Sequence, residues 1–252
     1  MKILLELCLI LNMKGVFNML VEIPSVEYPN STPSIIGTRY DLLVSLSRAG
    51  FLCEPKYIQM GIKGALNGCY ARQAVVARLL LAEKKLPQGY RFKIWDAYRP
   101  ISVQKALWER YREQVVKENP TFNDEEIDKI TNYFVSKPSF DIKNPSVHNS
   151  GGAIDLTIVD EQENELDMGA KFDDFSPMSW SNYYELNDID DKIKENRRLL
   201  YNVMTSSGFT NLPSEFWHYD YGDIFWAYYT GEDAIYHGVL NNNDSHFEKM
   251  GL

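Results

Sequence analysis

The most constraining feature of the sequence is the stretch Ser146–Asp155, which reads SVHNSGGAID. His148 and Asp155 lie seven residues apart in it, with Gly151–Gly152 between them and an apolar, strand-like run at 156–159 after them. Glycine permits positive φ or a close backbone approach. If the chain turns at the two glycines, both side chains can face one ion. The alternative is a loop histidine and a strand-end aspartate, each satisfied by hydrogen bonds.

A second stretch, Glu215–His218 (EFWH), complements the first and holds another of the four histidines of the chain. Zinc hydrolases present three protein ligands from histidine and carboxylates and keep a fourth position for water. His148, Asp155 and His218 form such a candidate set, and Glu215 is then free to act as a base. A spacing of three places Glu215 and His218 on opposite faces of a strand, so we expect a bulge or a loop turn there. The alternative is a capping glutamate beside a packed histidine.

Arg99 is the third candidate, in the segment 95–100 (WDAYRP) that connects a predicted strand to a predicted helix. Its guanidinium can pair structurally with Asp96, or it can bind a substrate carboxylate or the oxyanion of a tetrahedral intermediate. We interpret His237 and His246 as non-ligands because both lie in polar sequence near the C-terminus. Cys69 has no histidine near it and is interpreted as a buried thiol.

Composition excludes several classes of protein. With 252 residues, 44% hydrophobic and 13% aromatic, the chain can build a sizeable core. Its net charge is −9, and it has no basic run longer than a pair such as Arg197–Arg198, which argues against a nucleic-acid partner. The three cysteines are widely spaced and odd in number, so we expect neither a disulfide framework nor a zinc finger.

The domain prediction is one folded unit at 24–237, preceded by an N-terminal extension at 1–23 and followed by a polar tail at 238–252. Glu6 interrupts the apolar N-terminal run, and no small-residue cleavage site follows it, which argues against a signal peptide. The run is also too short to span a membrane. We therefore predict a cytoplasmic protein, with export through a degenerate signal as the alternative. Met13 and Met19 are alternative starts.

Residue patterns predict an α+β fold. The elements do not follow a regular alternation of strand and helix with short connections, as a doubly wound fold would. Segment 168–184 is predicted to be irregular. Helices are predicted at 71–85, 101–117, 123–135 and 190–206, and strands at 90–95, 153–159 and 215–221.

Taken together, the motifs resemble the zinc D-alanyl-D-alanine dipeptidases, the family of the vancomycin-resistance dipeptidase. That family shows D-x-Y-R-P, then S-x-H-x-x-G-x-A-x-D-L-T, then E-x-W-H, which stand here at 96–100, 146–157 and 215–218. Segments 166–173 and 196–200 are also similar to the family. The likeness covers roughly 55–222, and the ordered set is far more specific than any one motif.

The resemblance implies a small central antiparallel sheet flanked by helices, and one zinc ion per chain. It implies that His148, Asp155 and His218 are the zinc ligands, that Glu215 is the catalytic base, and that Arg99 stabilises the transition state. The implied reaction is the zinc-dependent hydrolysis of D-alanyl-D-alanine to D-alanine, a cell-wall-related activity. The partner is then a small D,D-dipeptide, with no obligate protein partner.

Two further positions match the substrate site of the family, Ser146 and Asp173. The sequence also departs from the family, whose N-terminal segment reads D-L-x-Y-A-T. Here Asp41-Leu42 is followed by LVSL at 43–46, so the tyrosine that helps to hold the substrate is missing. The metal chemistry is therefore better supported than strict D-Ala-D-Ala specificity. One alternative is a zinc D,D-carboxypeptidase or another peptidase that acts on peptidoglycan stem peptides. A second is a non-catalytic peptide-binding module. Loss of the catalytic base would indicate that module, but Glu215 is present.

Overall fold

The computed structural model describes residues 20–26, 41–187 and 189–239. Most of the predicted extension 1–23 and of the predicted tail 238–252 lies outside them. The strands are β1 (Leu43–Ser45), β2 (Leu52–Cys53), β3 (Tyr70–Arg72), β4 (Arg91–Asp96), β5 (Ala153–Val159), β6 (Thr210–Asn211) and β7 (His218–Asp220). The helices are α1 (Lys56–Gln59), α2 (Gln73–Glu83), α3 (Ile101–Glu118), α4 (Asp124–Phe134), α5 (Val147–Ser150), α6 (Tyr183–Leu186), α7 (Asp191–Thr205) and α8 (Ile224–Thr230).

A five-stranded sheet in the order β2-β4-β5-β7-β6 forms the centre of the fold. Its strands pair antiparallel except at one edge, where β2 runs parallel to β4. A separate two-stranded sheet pairs β1 with β3. The predicted α+β class, with a small central antiparallel sheet flanked by helices, is confirmed; the parallel edge strand is an addition to it.

Strand β5 is the central strand, and all seven of its residues are buried. This burial explains why its sequence is apolar almost throughout instead of alternating, since both faces of the strand are covered. Helices α2 and α7 pack on each other. They contribute to the same core the buried side chains of Val75, Leu79, Leu199, Leu200 and Met204.

Helices α3 and α4 pack against each other. Helix α4 begins with a capping box: the side chain of Asn123 accepts hydrogen bonds from the backbone of Glu125 and Glu126, and the Glu126 carboxylate accepts one from the backbone N–H of Asn123. This start was predicted from the sequence at 123–126.

Two predicted elements differ from the observed ones. The predicted helix at 71–85 is shorter, because Tyr70–Arg72 pairs with β1 before α2 begins. Pairing with a distant strand here overrides the local helix preference. The predicted strand at 215–221 is confined to β7, and Glu215–Trp217 forms a tight turn in which the N–H of His218 bonds to the carbonyl of Glu215 at 3.2 Å. Helix α8 was not predicted.

Arg72 connects the first motif to two segments that are distant from it in sequence, at Asp41 and His237. Its fully buried guanidinium donates to the carbonyls of Ser150 at 2.7 Å, Asp41 at 2.6 Å and His237 at 3.2 Å. Beyond His237, Val239 is also buried and its N–H donates to Asn149 Oδ1 at 3.0 Å. The packed structure therefore continues at least two residues past the predicted boundary at 237.

Gly151 offers a test of the turn between the two halves of the motif. It ends α5 at a φ of +77°, and a Cβ there would lie 2.5 Å from Leu43 Cδ2, which is buried. We expect Gly151→Ala to lose about 1–2 kcal/mol through backbone strain and a further ~1–3 kcal/mol through overpacking. Thermal and urea unfolding measure the loss.

The matched control is Gly231→Ala, where φ is +74° and no atom lies within 4 Å of the added Cβ. It carries the same backbone strain without the clash. Equal losses of unfolding free energy in the two variants would show that the contact with Leu43 is irrelevant.

Candidate active site

The sheet register brings two of the candidate ligands together. Asp155 in β5 pairs directly with His218 in β7, and on its other side it pairs with Asp96 at the end of β4. Side chains directly opposite one another on neighbouring antiparallel strands lie close together. Asp155 Oδ1 is accordingly 2.9 Å from His218 Nδ1.

Helix α5 adds the third side chain. It is a single turn that Gly151 ends in the left-handed conformation, after which the chain enters β5. His148 Nε2 consequently lies 3.3 Å from Asp155 Oδ2 and 3.2 Å from His218 Nδ1. The turn expected from the glycine pair therefore brings His148, Asp155 and His218 into one buried cluster, with their donor atoms within 4.8 Å of one another.

The outward-facing nitrogens of the two histidines are held by backbone and carboxylate acceptors. His148 Nδ1–H donates to the carbonyl of Ala97 at 2.8 Å, and His218 Nε2–H donates to Asp220 Oδ1 at 2.8 Å. These partners leave the lone pairs of His148 Nε2 and His218 Nδ1 directed at each other and at Asp155. Such outer partners are the usual support of metal-ligating histidines. Two nitrogens and one carboxylate oxygen fit one divalent metal ion.

Charge interactions in the cluster are strong because it is buried. Burial opposes ionisation of Asp155, but the imidazoles of His148 and His218 outweigh it and hold its pKa below the ordinary value. Burial likewise opposes the charged form of His218, but Asp220 and Asp155 raise its pKa well above the ordinary value. The two carboxylates therefore favour a positive charge at this position of the cluster.

Glu215 stands beside the cluster on the turn before β7. Its Oε2 lies 4.0 Å from His218 Nδ1. Burial raises the pKa of Glu215, and the charge of Asp155 raises it further, against the opposing effect of His218. The turn resolves the unfavourable spacing noted in the sequence: because Glu215 precedes the strand, it can face the same space as His218.

Arg99 occupies the junction of β4 and α3, where it makes the predicted pair with Asp96 and also lines the cleft. Its Nε and Nη2 donate to Asp96 Oδ2 at 2.9 and 2.8 Å, and its Nη2 lies 3.6 Å from Asp155 Oδ2. Its Nη1 donates to Gln104 Oε1 at 2.8 Å, and Nη2 also donates to Tyr57 Oη at 3.1 Å. Arg99 is therefore a paired, nearly buried guanidinium whose edge faces the cluster.

These groups line one cleft of about 250 Å³. Ser146 and Asp173, predicted as substrate-site residues, both line it as well. Asp173 has a positive φ of 58°, an uncommon conformation for a residue other than glycine. Its Oδ1 accepts a hydrogen bond from Tyr57 Oη at 3.4 Å, and burial raises its pKa to about 8 against the opposing charge of Arg99.

A comparison with known proteins identifies the family of the chain. Residues 63–234 match the M15 peptidase family, described as D-ala-D-ala dipeptidase. The chain belongs to this family. Its members are metallopeptidases, so the chain is a metal-dependent peptidase of that class, and the cluster of His148, Asp155 and His218 is its candidate metal site.

Individual relatives agree with this assignment. A D-alanyl-D-alanine dipeptidase of Synechocystis is 29% identical over 60% of this chain and 67% of the relative. Proteins of the same name in Escherichia coli and Enterococcus faecium are each 33% identical, over 52% and 57% of this chain and 55% and 69% of the relatives. The matched stretches thus span between about half and two thirds of these M15 relatives.

The sequence motifs did not indicate two residues that line the cleft, Tyr57 and Gln104. Val44 stands where the family pattern has a tyrosine, whereas Tyr57 of α1 places its hydroxyl between Arg99 and Asp173. Nothing in the spacing around Tyr57 indicates this. The sequence could have indicated Gln104, because it is a polar residue on the apolar face of α3. In the structure it is 2% exposed.

The other histidines do not join the cluster among the described residues. His237 Nδ1 contacts the carbonyl of Gly238 at 2.9 Å, and His237 does not line the cleft. His246 lies outside the described residues. Of the helices that the structure describes, none has the length and apolar character required to cross a bilayer.

The cluster predicts one bound metal ion per chain. We expect about one equivalent of metal by elemental analysis and loss of most of it in His148→Ala, since two remaining ligands bind a divalent ion poorly. His237→Ala is the control and should keep the wild-type content. Full metal content in a His148→Ala, His218→Ala double variant would remove the cluster from consideration as the site.

Proposed function

We propose that the chain hydrolyses D-alanyl-D-alanine to two molecules of D-alanine with zinc as its metal. The observation that carries the proposal is the convergence of the His148, Asp155 and His218 cluster with Glu215 and Arg99 in a single cleft. The names of the four relatives support the substrate, and the donor set of two imidazoles and one carboxylate suits zinc.

The three ligands prepare the reaction by supplying a site of fixed geometry. Zinc, when bound to them, would polarise a substrate carbonyl and lower the pKa of a coordinated water. Asp220 and the Ala97 carbonyl fix the two histidine rings, so the ligand atoms keep their direction without reorganisation.

Glu215 is the proposed general base and acid. Its carboxylate shares the cleft with the metal ligands and takes a proton from the attacking water. The water oxygen bonds to the peptide carbonyl carbon, the C–N bond then breaks, and Glu215 returns the proton to the leaving amine. Glu215 lies next to the three ligands without being one of them, so it is free to take up the proton and to release it.

Arg99 is the proposed stabiliser of the transition state. The oxyanion that forms on the carbonyl oxygen needs a fixed donor, and Arg99 is fixed by Asp96, Gln104 and Tyr57. Because these partners already use much of its donor capacity, its contribution depends on orientation and charge more than on many new hydrogen bonds.

Asp173 and Ser146 are the proposed substrate-binding residues. A free dipeptide carries an ammonium group, whose charge would favour the ionised form of Asp173 and lower its raised pKa, so this side chain is suited to accept it at the cleft wall. Ser146 precedes the helical turn of His148 and adds a hydroxyl on the same side as the histidine.

The direct test is an assay of purified protein with zinc against free D-Ala-D-Ala, with L-Ala-L-Ala as the control substrate. We expect release of D-alanine from the first and little turnover of the second, and loss of activity with a chelator. Preference for L-Ala-L-Ala, or turnover that does not respond to metal removal, would contradict the proposal.

Glu215→Gln isolates the base. The amide keeps the size of the side chain but cannot take the proton, so turnover should fall at least about 10²-fold. Metal content should stay at the wild-type level. The exposed Glu232→Gln serves as the control and should be fully active; turnover near normal in Glu215→Gln would exclude Glu215 from the mechanism.

Arg99→Lys separates the catalytic role of Arg99 from its structural one. Lysine cannot reproduce the forked donor, so the transition state should lose roughly 2.7–4 kcal/mol by analogy with a deleted oxyanion donor. The loss should appear equally in kcat and kcat/KM, with KM little changed.

The matched control is Arg112→Lys, since Arg112 pairs with Asp124 and Asp128 away from the cleft. A raised KM with kcat preserved in Arg99→Lys would instead mean that Arg99 binds the substrate in the ground state. Unchanged kinetics with a lower melting temperature would limit Arg99 to the scaffold.

A further inference from the structure

The two cysteines that the structure describes, Cys53 and Cys69, meet beside strand β4. Cys53 ends β2 and is the register partner of Ile94 in β4. Cys69 directly precedes β3, and its Sγ lies 3.9 Å from the carbonyl oxygen of the same Ile94. The Cys53 sulfur is in hydrogen-bond contact with both the thiol and the backbone N–H of Cys69. The fold therefore places two free thiols side by side that are distant in sequence.

Backbone hydrogen bonds hold the chain on both sides of this pair. The N–H of Glu54, next to Cys53, donates to the carbonyl of Ile94 at 2.8 Å. The N–H of Leu46 donates to the carbonyl of Cys69 at 3.0 Å. A disulfide has a specific geometry, with a sulfur–sulfur bond of about 2.05 Å. Because the two sulfur atoms are already in contact, this bond requires side-chain rotation and little movement of the backbone.

The two thiols differ in exposure and in acidity. Cys53 lies on an edge strand of the five-stranded sheet and is only partly buried, whereas Cys69 is buried. The contact with the Cys69 thiol lowers the pKa of Cys53 against the opposing effect of burial. The same contact, together with burial, raises the pKa of Cys69. Because the thiolate is the nucleophile in thiol chemistry, Cys53 is the thiol that reacts first with an external reagent.

The segment between the two cysteines, 54–68, carries part of the cleft wall. It contains α1, whose Tyr57 contacts both Arg99 and Asp173, and it contains Met60, which also lines the cleft. A bond between the two thiols would close this segment into a loop. Such a bond restricts the unfolded chain and leaves the metal ligands untouched.

We propose that Cys53 and Cys69 form a thiol–disulfide site, at which Cys53 reacts with a small-molecule disulfide and Cys69 then closes an internal bond. In the first step the Cys53 sulfur attacks one sulfur of the reagent, the S–S bond of the reagent breaks, and one thiol leaves. In the second step the Cys69 thiol loses its proton, its sulfur attacks that of Cys53, and the second thiol leaves. The two cysteines lose two electrons and two protons, which the reagent gains as two thiols.

The first test uses the zinc-loaded Cys8→Ser protein, in which Cys53 and Cys69 are the two remaining cysteines. After treatment with oxidised glutathione, we expect intact-mass spectrometry to show the loss of two hydrogen atoms and no bound glutathione. Non-reducing peptide mapping should find the peptides of Cys53 and Cys69 linked. A reducing agent should restore the original mass.

Two variants in the same background separate the two steps. Cys69→Ala should stop after the first step and keep one glutathione on Cys53; alanine is a suitable replacement because a buried thiol packs as a small apolar group. Cys53→Ser should be modified at least about tenfold more slowly, because its remaining thiol is buried and has a raised pKa. Iodoacetamide should alkylate Cys53 more slowly in Cys69→Ala, since the contact that lowers the pKa of Cys53 is lost.

The closed bond should also stabilise the protein. For a loop of roughly 15 residues we expect the melting temperature of the oxidised protein to be about 5–10 °C above that of the reduced protein. Amide hydrogen exchange within 54–68 should slow on oxidation, and α4 serves as the internal reference. Oxidised glutathione should leave the melting temperature of Cys53→Ser unchanged.

A glutathione adduct that persists on Cys53 while Cys69 is present would overturn the proposal, because Cys69 would then not close the bond. Modification of Cys69 ahead of Cys53, or no reaction at Cys53, would overturn it as well. A melting temperature that does not rise after the bond has formed would contradict the stabilising loop. These measurements do not depend on turnover, so their outcome is separate from that of the proposed function.

Discussion

The contact between Asp155 and His218 is the interaction on which the rest of the site depends. Both side chains are 2% exposed and lie opposite each other on β5 and β7. A buried carboxylate without a charged partner is strongly unfavourable. The structure supplies partners from several directions, because the register of three strands and the single turn of α5 deliver His148, His218 and Arg99 to the same carboxylate. The fold thus surrounds this one carboxylate with two imidazoles and a guanidinium.

Much of this arrangement could be predicted from the sequence, because the motifs are local. The strand at 153–159 was visible as an apolar run, and the glycine pair before it indicated the turn that brings His148 to Asp155. The α4 start was indicated by Asn123 and Glu126, whose side chains act on their own backbone neighbours. In each case the residues that cause the structure lie within a few positions of it.

What could not be predicted depends on distant contacts. The turn at Glu215 is set partly by the next residue, Phe216, whose N–H donates to the carbonyl of Ser179 at 2.9 Å. The sequence around Glu215 does not show this distant contact, and the strand predicted at 215–221 was therefore too long. Tyr57 reaches Arg99 across 42 positions of chain, and only the assembled fold reveals it. The helix predicted at 71–85 begins later than expected for the same reason, since β3 forms by pairing with β1.

The buried guanidinium of Arg72 connects the site to the far end of the chain. It donates hydrogen bonds to three backbone carbonyls, one of which belongs to His237 and another to Ser150, the last residue of the helical turn that carries His148. Truncation before His237 would leave one buried N–H of a permanent cation without its acceptor, an unfavourable state. The candidate metal site is thereby linked to residues near His237 that lie outside the cleft, so the smallest unit that can fold on its own is larger than the three sequence motifs suggest.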